Sequence, residues 1–302
     1  MNRLRTTVLP IIAAFLWGTT FVAQNIAADY MPPMAFNAAR SIVAVPALLL
    51  VLFFISKIKK EPFLPKKEER KPLMIGGLCC GIALTIAANL QQAGLADTDA
   101  GKAGFITALY IVLVPIAGLF FKKRASLNVW IAVVIAAAGL YFLCIKKDFT
   151  IQFSDFLVFL CAIAFTAHIL VIDHFTQSVD GVRLSCMQFF VTAVLSSALS
   201  LIFEKIVWSN FIPCILPILY AGIFSSGVAY TLQIVAQKDA NPTVVSLLMS
   251  LESVFAVLAA IVVQRSIPTD REWIGCALML IAVVFAQLPS GRRQLDKSTK
   301  MV

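Results

Sequence analysis

Glu252 stands near the middle of the run Pro242–Val263, which carries no other charge. As a helix that run is long enough to cross a hydrocarbon layer about 30 Å thick. A charged side chain at such a depth costs at least about 2.5 kcal/mol, so the carboxylate must face protein or water rather than lipid. There it can hold a cationic group or take up and release a proton. Arg40 is the only charge in the apolar run 34–55. Three roles suit it: pairing with Glu252 so that each offsets the other's burial, binding part of a solute, or snorkelling outward. His168 lies in the run 155–175, where hydrogen-bonded packing competes with proton carriage. Asp173 and His174 fall at the end of that run, where solvation gives them an ordinary role.

Uncharged polar residues recur at helical spacing. Trp17, Thr20 and Gln24 share a face, as do Thr85, Asn89 and Gln92. So do Ser185, Gln188, Thr192 and Ser196, then Ser226, Tyr230, Gln233 and Gln237, and finally Ser246, Ser250 and Ser253. Ser and Thr in membrane helices often bond their own backbone or a neighbouring helix. Amides have more groups to satisfy. Five stripes together predict a central, wet cavity with room for a solute. Trp17, Tyr110 and Tyr230 would supply its apolar walls, and Gln24, Asn89, Gln92, Gln188 and Gln233 orienting hydrogen bonds. Thr20, His168, Ser250 and Glu252 complete the candidate binding set, and Arg40 and Glu252 are the candidate coupling or structural charges.

The elements that must position these groups follow from composition. Of the 302 residues 60% are hydrophobic and only 14% charged, too few charges to cover a soluble domain. Ten spans are predicted, at 8–28, 34–55, 72–95, 102–121, 127–145, 155–175, 184–203, 212–235, 242–263 and 272–288. The fifth and tenth are almost free of polar residues between their ends and should be peripheral, facing lipid. The net charge of +9 is interleaved between apolar runs, a topology signal and not a nucleic-acid surface. With both termini in the cytoplasm, eighteen Lys and Arg fall inside and six outside, the asymmetry expected of an inner face. The seven cysteines are odd in number and lack a Cys-x-x-Cys spacing, which points to packing rather than a disulfide or metal site. No metal or other cofactor is expected.

The chain also repeats. Trp17 and Arg40 are 23 positions apart, and so are Phe165 and Gln188. Residues 99–115 lie on 239–255 at a constant offset of 140. Ten spans then divide into repeats at 1–147 and 148–290, followed by a basic cytoplasmic tail at 291–302. An odd number of helices per half inverts the second, the pattern of secondary transporters that bind substrate near the midplane. Pro46, Pro115 and Pro217 fall inside spans and invite kinks. Gly77 and Gly81 permit close helix approach.

Four segments carry a family resemblance: Ala14-Phe15-Leu16-Trp17-Gly18-Thr19-Thr20-Phe21; Arg40; Ala100-Gly101-Lys102-Ala103-Gly104-Phe105-Ile106 running on to Val114-Pro115; and Ser250-Leu251-Glu252-Ser253-Val254-Phe255-Ala256. In order and spacing the chain resembles the EamA family of the drug/metabolite transporter superfamily over nearly its whole length. Ser253 stands where many members have Pro, so a straighter ninth span is expected. The resemblance implies an all-α polytopic membrane protein of ten transmembrane helices in two inverted five-helix repeats, with alternating access and export or exchange of small metabolites. The expected partners are a small-molecule substrate, membrane lipid and a coupling proton or counter-substrate, without nucleic acid. The expected location is a prokaryotic plasma membrane, and the apolar tenth span offers a homodimer contact. A membrane-embedded enzyme acting on lipid or peptide is the first rival. It would need converging acid, base or metal groups, but there is no His-Glu-x-x-His, no pair of intramembrane aspartates, and only two histidines. A channel or sensor is the other rival, and it lacks repeated charged rings.

Overall fold

The computed structural model describes residues 4–95, 100–121, 125–144, 152–265 and 267–288. Among them all regular structure is helical. Eight helices are long and apolar enough to cross a membrane. They are α1 (Arg5–Ala28), α2 (Pro33–Lys59), α3 (Lys67–Gly94), α4 (Ala103–Phe120), α6 (Phe153–Phe175), α7 (Gly181–Phe203), α8 (Ile215–Gln237) and α9 (Pro242–Val263). Two further helices, the shorter α5 (Leu127–Leu143) and α10 (Asp270–Gln287), follow α4 and α9. The polypeptide is therefore a polytopic helical membrane protein. The basic tail at 291–302 lies outside the described residues.

The helix starts are written locally. Pro33 follows an extended Pro32 at the start of α2, where a missing N–H removes no intrahelical bond. Asp180 caps α7, Asn241 caps α9, and Thr269 with Glu272 forms a capping box on α10. α2 and α3 are longer than the apolar runs predict because Lys57, Lys59, Lys67, Glu68 and Glu69 continue the helix past the apolar part.

Packing repeats with the halves exchanged. α1 lies against α8 and α9, and α6 lies against α3 and α4. α2 packs on α7 and α8, while α7 packs on α2 and α3. Each half thus finds most of its neighbours in the other, as an inverted duplication requires. α5 and α10 pack on each other at two glycines. A Cβ on Gly139 would lie 3.0 Å from the Gly275 carbonyl, and one on Gly275 would lie 2.7 Å from the Gly139 carbonyl. Their outward faces, with Val134, Trp273, Ile274 and Val284, are exposed, a surface suited to lipid and not to water.

α7 is tied to the first half at both ends, to the start of α2 at one and to the α2–α3 link and α3 at the other. The Glu204 carboxylate, beyond α7, accepts hydrogen bonds from Met34 N and Ala35 N at 2.8 Å each, an anion placed on a helix N-terminus. At the other end Arg183 donates to the Pro62 carbonyl at 2.6 Å and pairs with Glu69 at 3.4 Å.

Besides the π-helical stretch Leu4–Val8 that opens α1, three helices depart from regular geometry. α4 is interrupted at Leu109, where the Leu109 and Val112 amides donate to carbonyls three residues back. α9 is interrupted at Ser250–Leu251, where Leu251 N donates to Leu248 O and Ser253 N to Ser250 O. The α-helical pattern of the ninth helix is therefore interrupted although Ser253 is not Pro. Ser250 Oγ helps by donating to Leu247 O at 2.7 Å. The third departure is a π-helical stretch in α8, Ala221–Ala229, four residues past Pro217. By contrast, Pro46 sits inside an unbroken α2.

Candidate functional site

A small cavity lies between the halves. Its wall includes Trp17, Thr20, Phe21 and Gln24 from α1, Arg40 from α2, Gln91 from α3, and Thr107 and Tyr110 from α4. Phe165 and Ile169 of α6, Ser225, Tyr230 and Gln233 of α8, and Met249 and Glu252 of α9 complete it. Both charges singled out in the sequence therefore reach one space. Two features bring Glu252 there. It is the first residue of the helix that resumes after the α9 break. And Gly18 lets α1 approach closely, since a Cβ at that position would sit 2.6 Å from the Glu252 carbonyl.

Arg40 and Glu252 line the same cavity, yet among the described residues no ion pair joins them. Glu252 Oε1 accepts a hydrogen bond from Tyr110 Oη at 3.4 Å, a long contact across the two interrupted helices. Arg40 is 5% exposed, and its Nε has no hydrogen-bond partner. Its guanidinium carbon lies 5.8 Å from the centre of the Phe36 ring. Trp17 Nε1 and Gln233 Oε1 are also buried without partners. Arg40, Trp17 and Gln233 of the wall thus each carry a buried polar atom without a partner.

The remaining predicted residues are placed beside the cavity rather than on it. Gln92 accepts from Gln24 Nε2 at 3.0 Å. Asn89 accepts from Asn37 Nδ2 at 3.0 Å and donates to Ser196 Oγ at 3.2 Å. His168 Nε2 donates to Gln188 Oε1 at 3.0 Å, with both residues fully buried. Ser250 bonds its own helix, as described above. The α7 stripe, expected on the cavity wall, instead clasps neighbours. Ser185 accepts from Thr231 at 2.7 Å, and Thr192 bonds the Gln188 and Gly81 carbonyls. Sequence reasoning missed Phe21, Gln91, Thr107, Phe165, Ile169, Ser225 and Met249. Thr107 carried a usable signal, because it stands three residues before Tyr110 on the same helical face. Gln91 donates to it at 3.4 Å.

The cavity measures about 50 Å³. That accommodates a few water molecules, far below the several hundred Å³ of a typical ligand pocket. The expectation of room for a solute is corrected for this conformation. The reason is aromatic filling. The Trp17 and Tyr230 rings meet at 4.8 Å, and Phe189 and His168 pack on Tyr230 at 5.3 and 6.0 Å.

Comparison with known proteins places this architecture. The sequence pattern of the EamA-like transporter family matches residues 5–145 and again 152–287. An uncharacterized transporter of Archaeoglobus fulgidus is 32% identical over 278 residues, 92% of this chain and 84% of that relative. The Bacillus subtilis uncharacterized transporter YwfM is 26% identical over 96% of each chain. Protein PagO of Salmonella typhimurium is 24% identical over 99% of this chain and 100% of its own. A solved crystal structure shares the fold, with a TM-score of 0.75 at 18% identity, covering 93% of this chain and 97% of the other. The chain belongs to the EamA-like transporter family. It is a multi-pass membrane transporter.

Proposed function

We propose that the protein is a secondary carrier for a small metabolite, an amino acid or related compound, working by alternating access as an exporter or exchanger in a prokaryotic plasma membrane. The repeats at 1–147 and 148–290 are its two moving halves, and a proton or counter-substrate supplies the drive. The single observation that carries this reading is the cavity between the halves, which holds Arg40 and Glu252 without an ion pair between them. Unpaired charges at membrane depth are costly, so their retention argues for a solute or proton that meets them. Glu252 would take a cationic group or the coupling proton, Arg40 an anionic group, and Trp17, Tyr110, Tyr230 and Gln233 would enclose the solute. The cavity of about 50 Å³ must widen to load a solute.

Counterflow in proteoliposomes tests the proposal. Purified protein should exchange at least one of the twenty amino acids saturably, and Glu252→Gln should cut that exchange about tenfold or more, a loss of about 1.4 kcal/mol, while its melting temperature is kept. Undiminished, pH-dependent exchange by Glu252→Gln would remove Glu252 from the mechanism. Flux that fails to saturate would replace the carrier with a channel.

A further inference from the structure

Four buried polar atoms on residues in or next to the Tyr230 packing lack hydrogen-bond partners: His168 Nδ1, Gln188 Nε2, Ser226 Oγ and Trp17 Nε1. His168, Gln188 and Ser226 have no exposed surface at all. Each such orphan costs about 1–3 kcal/mol, and a native fold holds few of them without cause. Their place in or next to one packing is what calls for explanation. Tyr230 faces the central cavity and packs on His168 and Trp17. Ser226 is one turn earlier on the same helix, and Gln188 is held by His168.

The other half shows what the ring changes. Arg40 and Gln188 are 148 positions apart, as are Thr20 and His168. The clasp of Asn37 with Asn89 is matched by that of Ser185 with Thr231, which sets Ala88 opposite Tyr230. Where the first half has the small Ala88, Thr20 and Arg40 reach the cavity. Where the second half has Tyr230, His168 and Gln188 are sealed away.

We infer that Tyr230 covers a second, closed subsite of the cavity, formed by His168, Gln188, Ser226 and Trp17, which receives an uncharged hydrogen-bonding group of the solute, such as an amide or hydroxyl. Donors on Gln188 and Trp17, an acceptor on His168 Nδ1 and the two-way hydroxyl of Ser226 match a group that both gives and accepts hydrogen bonds. No ionised side chain is among the four, so these four groups themselves match an uncharged partner. Displacing the Tyr230 ring joins this space to the cavity of about 50 Å³ and enlarges it. The inference rests on the carrier reading and adds the chemistry that the solute's side chain must have.

Two measurements test it. The first is counterflow with the twenty amino acids in wild type and in Gln188→Leu. Exchange of amide- and hydroxyl-bearing side chains should fall about tenfold relative to apolar ones. If amino acids are exchanged and Gln188→Leu slows all of them equally, the carrier stands and the subsite is refuted. The second needs no solute. With His174→Gln, His168 is the sole histidine of the chain, so ¹⁵N-histidine NMR in nanodiscs reports on it alone. Its ring N–H should be sheltered from water with Tyr230 present and should exchange with water in Tyr230→Ala. A ring that stays sheltered in Tyr230→Ala overturns the subsite, whatever the counterflow gives. Should no amino acid be exchanged, the amino-acid reading fails, and this NMR result alone decides whether the covered space exists.

Discussion

At matching positions the two halves of this transporter keep the same scaffold and carry different chemistry. The first half presents Thr20 and the fixed cation Arg40 to the cavity. The second half has His168 and Gln188 there, bonded to each other and buried. The fourth and ninth helices break at nearly matching places, Leu109 and Ser250–Leu251, yet only the ninth adds a carboxylate. What repeats is backbone: interrupted helices, glycine contacts and polar clasps. What differs is charge. The symmetry serves to build an interface between halves, and the departures from it decide what that interface can bind.

The comparison can be broken most severely where the halves are alike. Gly275→Leu puts a side chain where Gly139 O and Leu143 N already lie 2.7 Å from the Cβ position. Backbone cannot yield as a side-chain tip does, so destabilisation of about 3 kcal/mol or more is expected. It should be seen as loss of the monodisperse peak and a lowered melting temperature in detergent. Gly104→Ala is the matched control, because no atom lies within 4 Å of its added Cβ, and it should melt like wild type.

A sharper probe is the sealed pair. His168→Leu or Gln188→Leu alone strands the other partner and should cost about 1–3 kcal/mol. The double substitution should cost less than the two singles summed, since it leaves no stranded amide or ring nitrogen. Additive melting shifts would show that the pair is not coupled. The smallest effect is expected at the joint between halves. Tyr110→Phe removes one 3.4 Å hydrogen bond to Glu252, worth about 1 kcal/mol at most. Exchange should change less than tenfold, and a larger loss would make Tyr110 a direct solute contact.

Much of this was legible in the residues. Long apolar runs revealed the spanning helices because lipid demands them. A lone Glu252 in such a run had to face the interior, and it does. Trp17, Thr20, Gln24, Arg40, Tyr110, Tyr230 and Gln233 line the same cavity as Glu252. The stripe of α7 misled, because helical spacing identifies a polar face without saying whether that face meets a cavity or another helix. Asn89 and Ser196 satisfy each other across α3 and α7, and nothing in either run alone indicates the partner. The break at Ser250–Leu251 was hidden for a related reason. Proline is the visible cause of a kink, whereas a serine hydroxyl turned back on its own carbonyls is not.

The exchanged packing of the halves has a consequence in time. A membrane chain is made from its N-terminus, and segments settle as they emerge. When α1 to α5 are complete, α1 has neither α8 nor α9 beside it, and α5 lacks α10. Arg40 then sits in the bilayer without the helices that bury it. The first five helices must wait, polar faces uncovered, until synthesis of the last helices lets the two repeats close around a common interior.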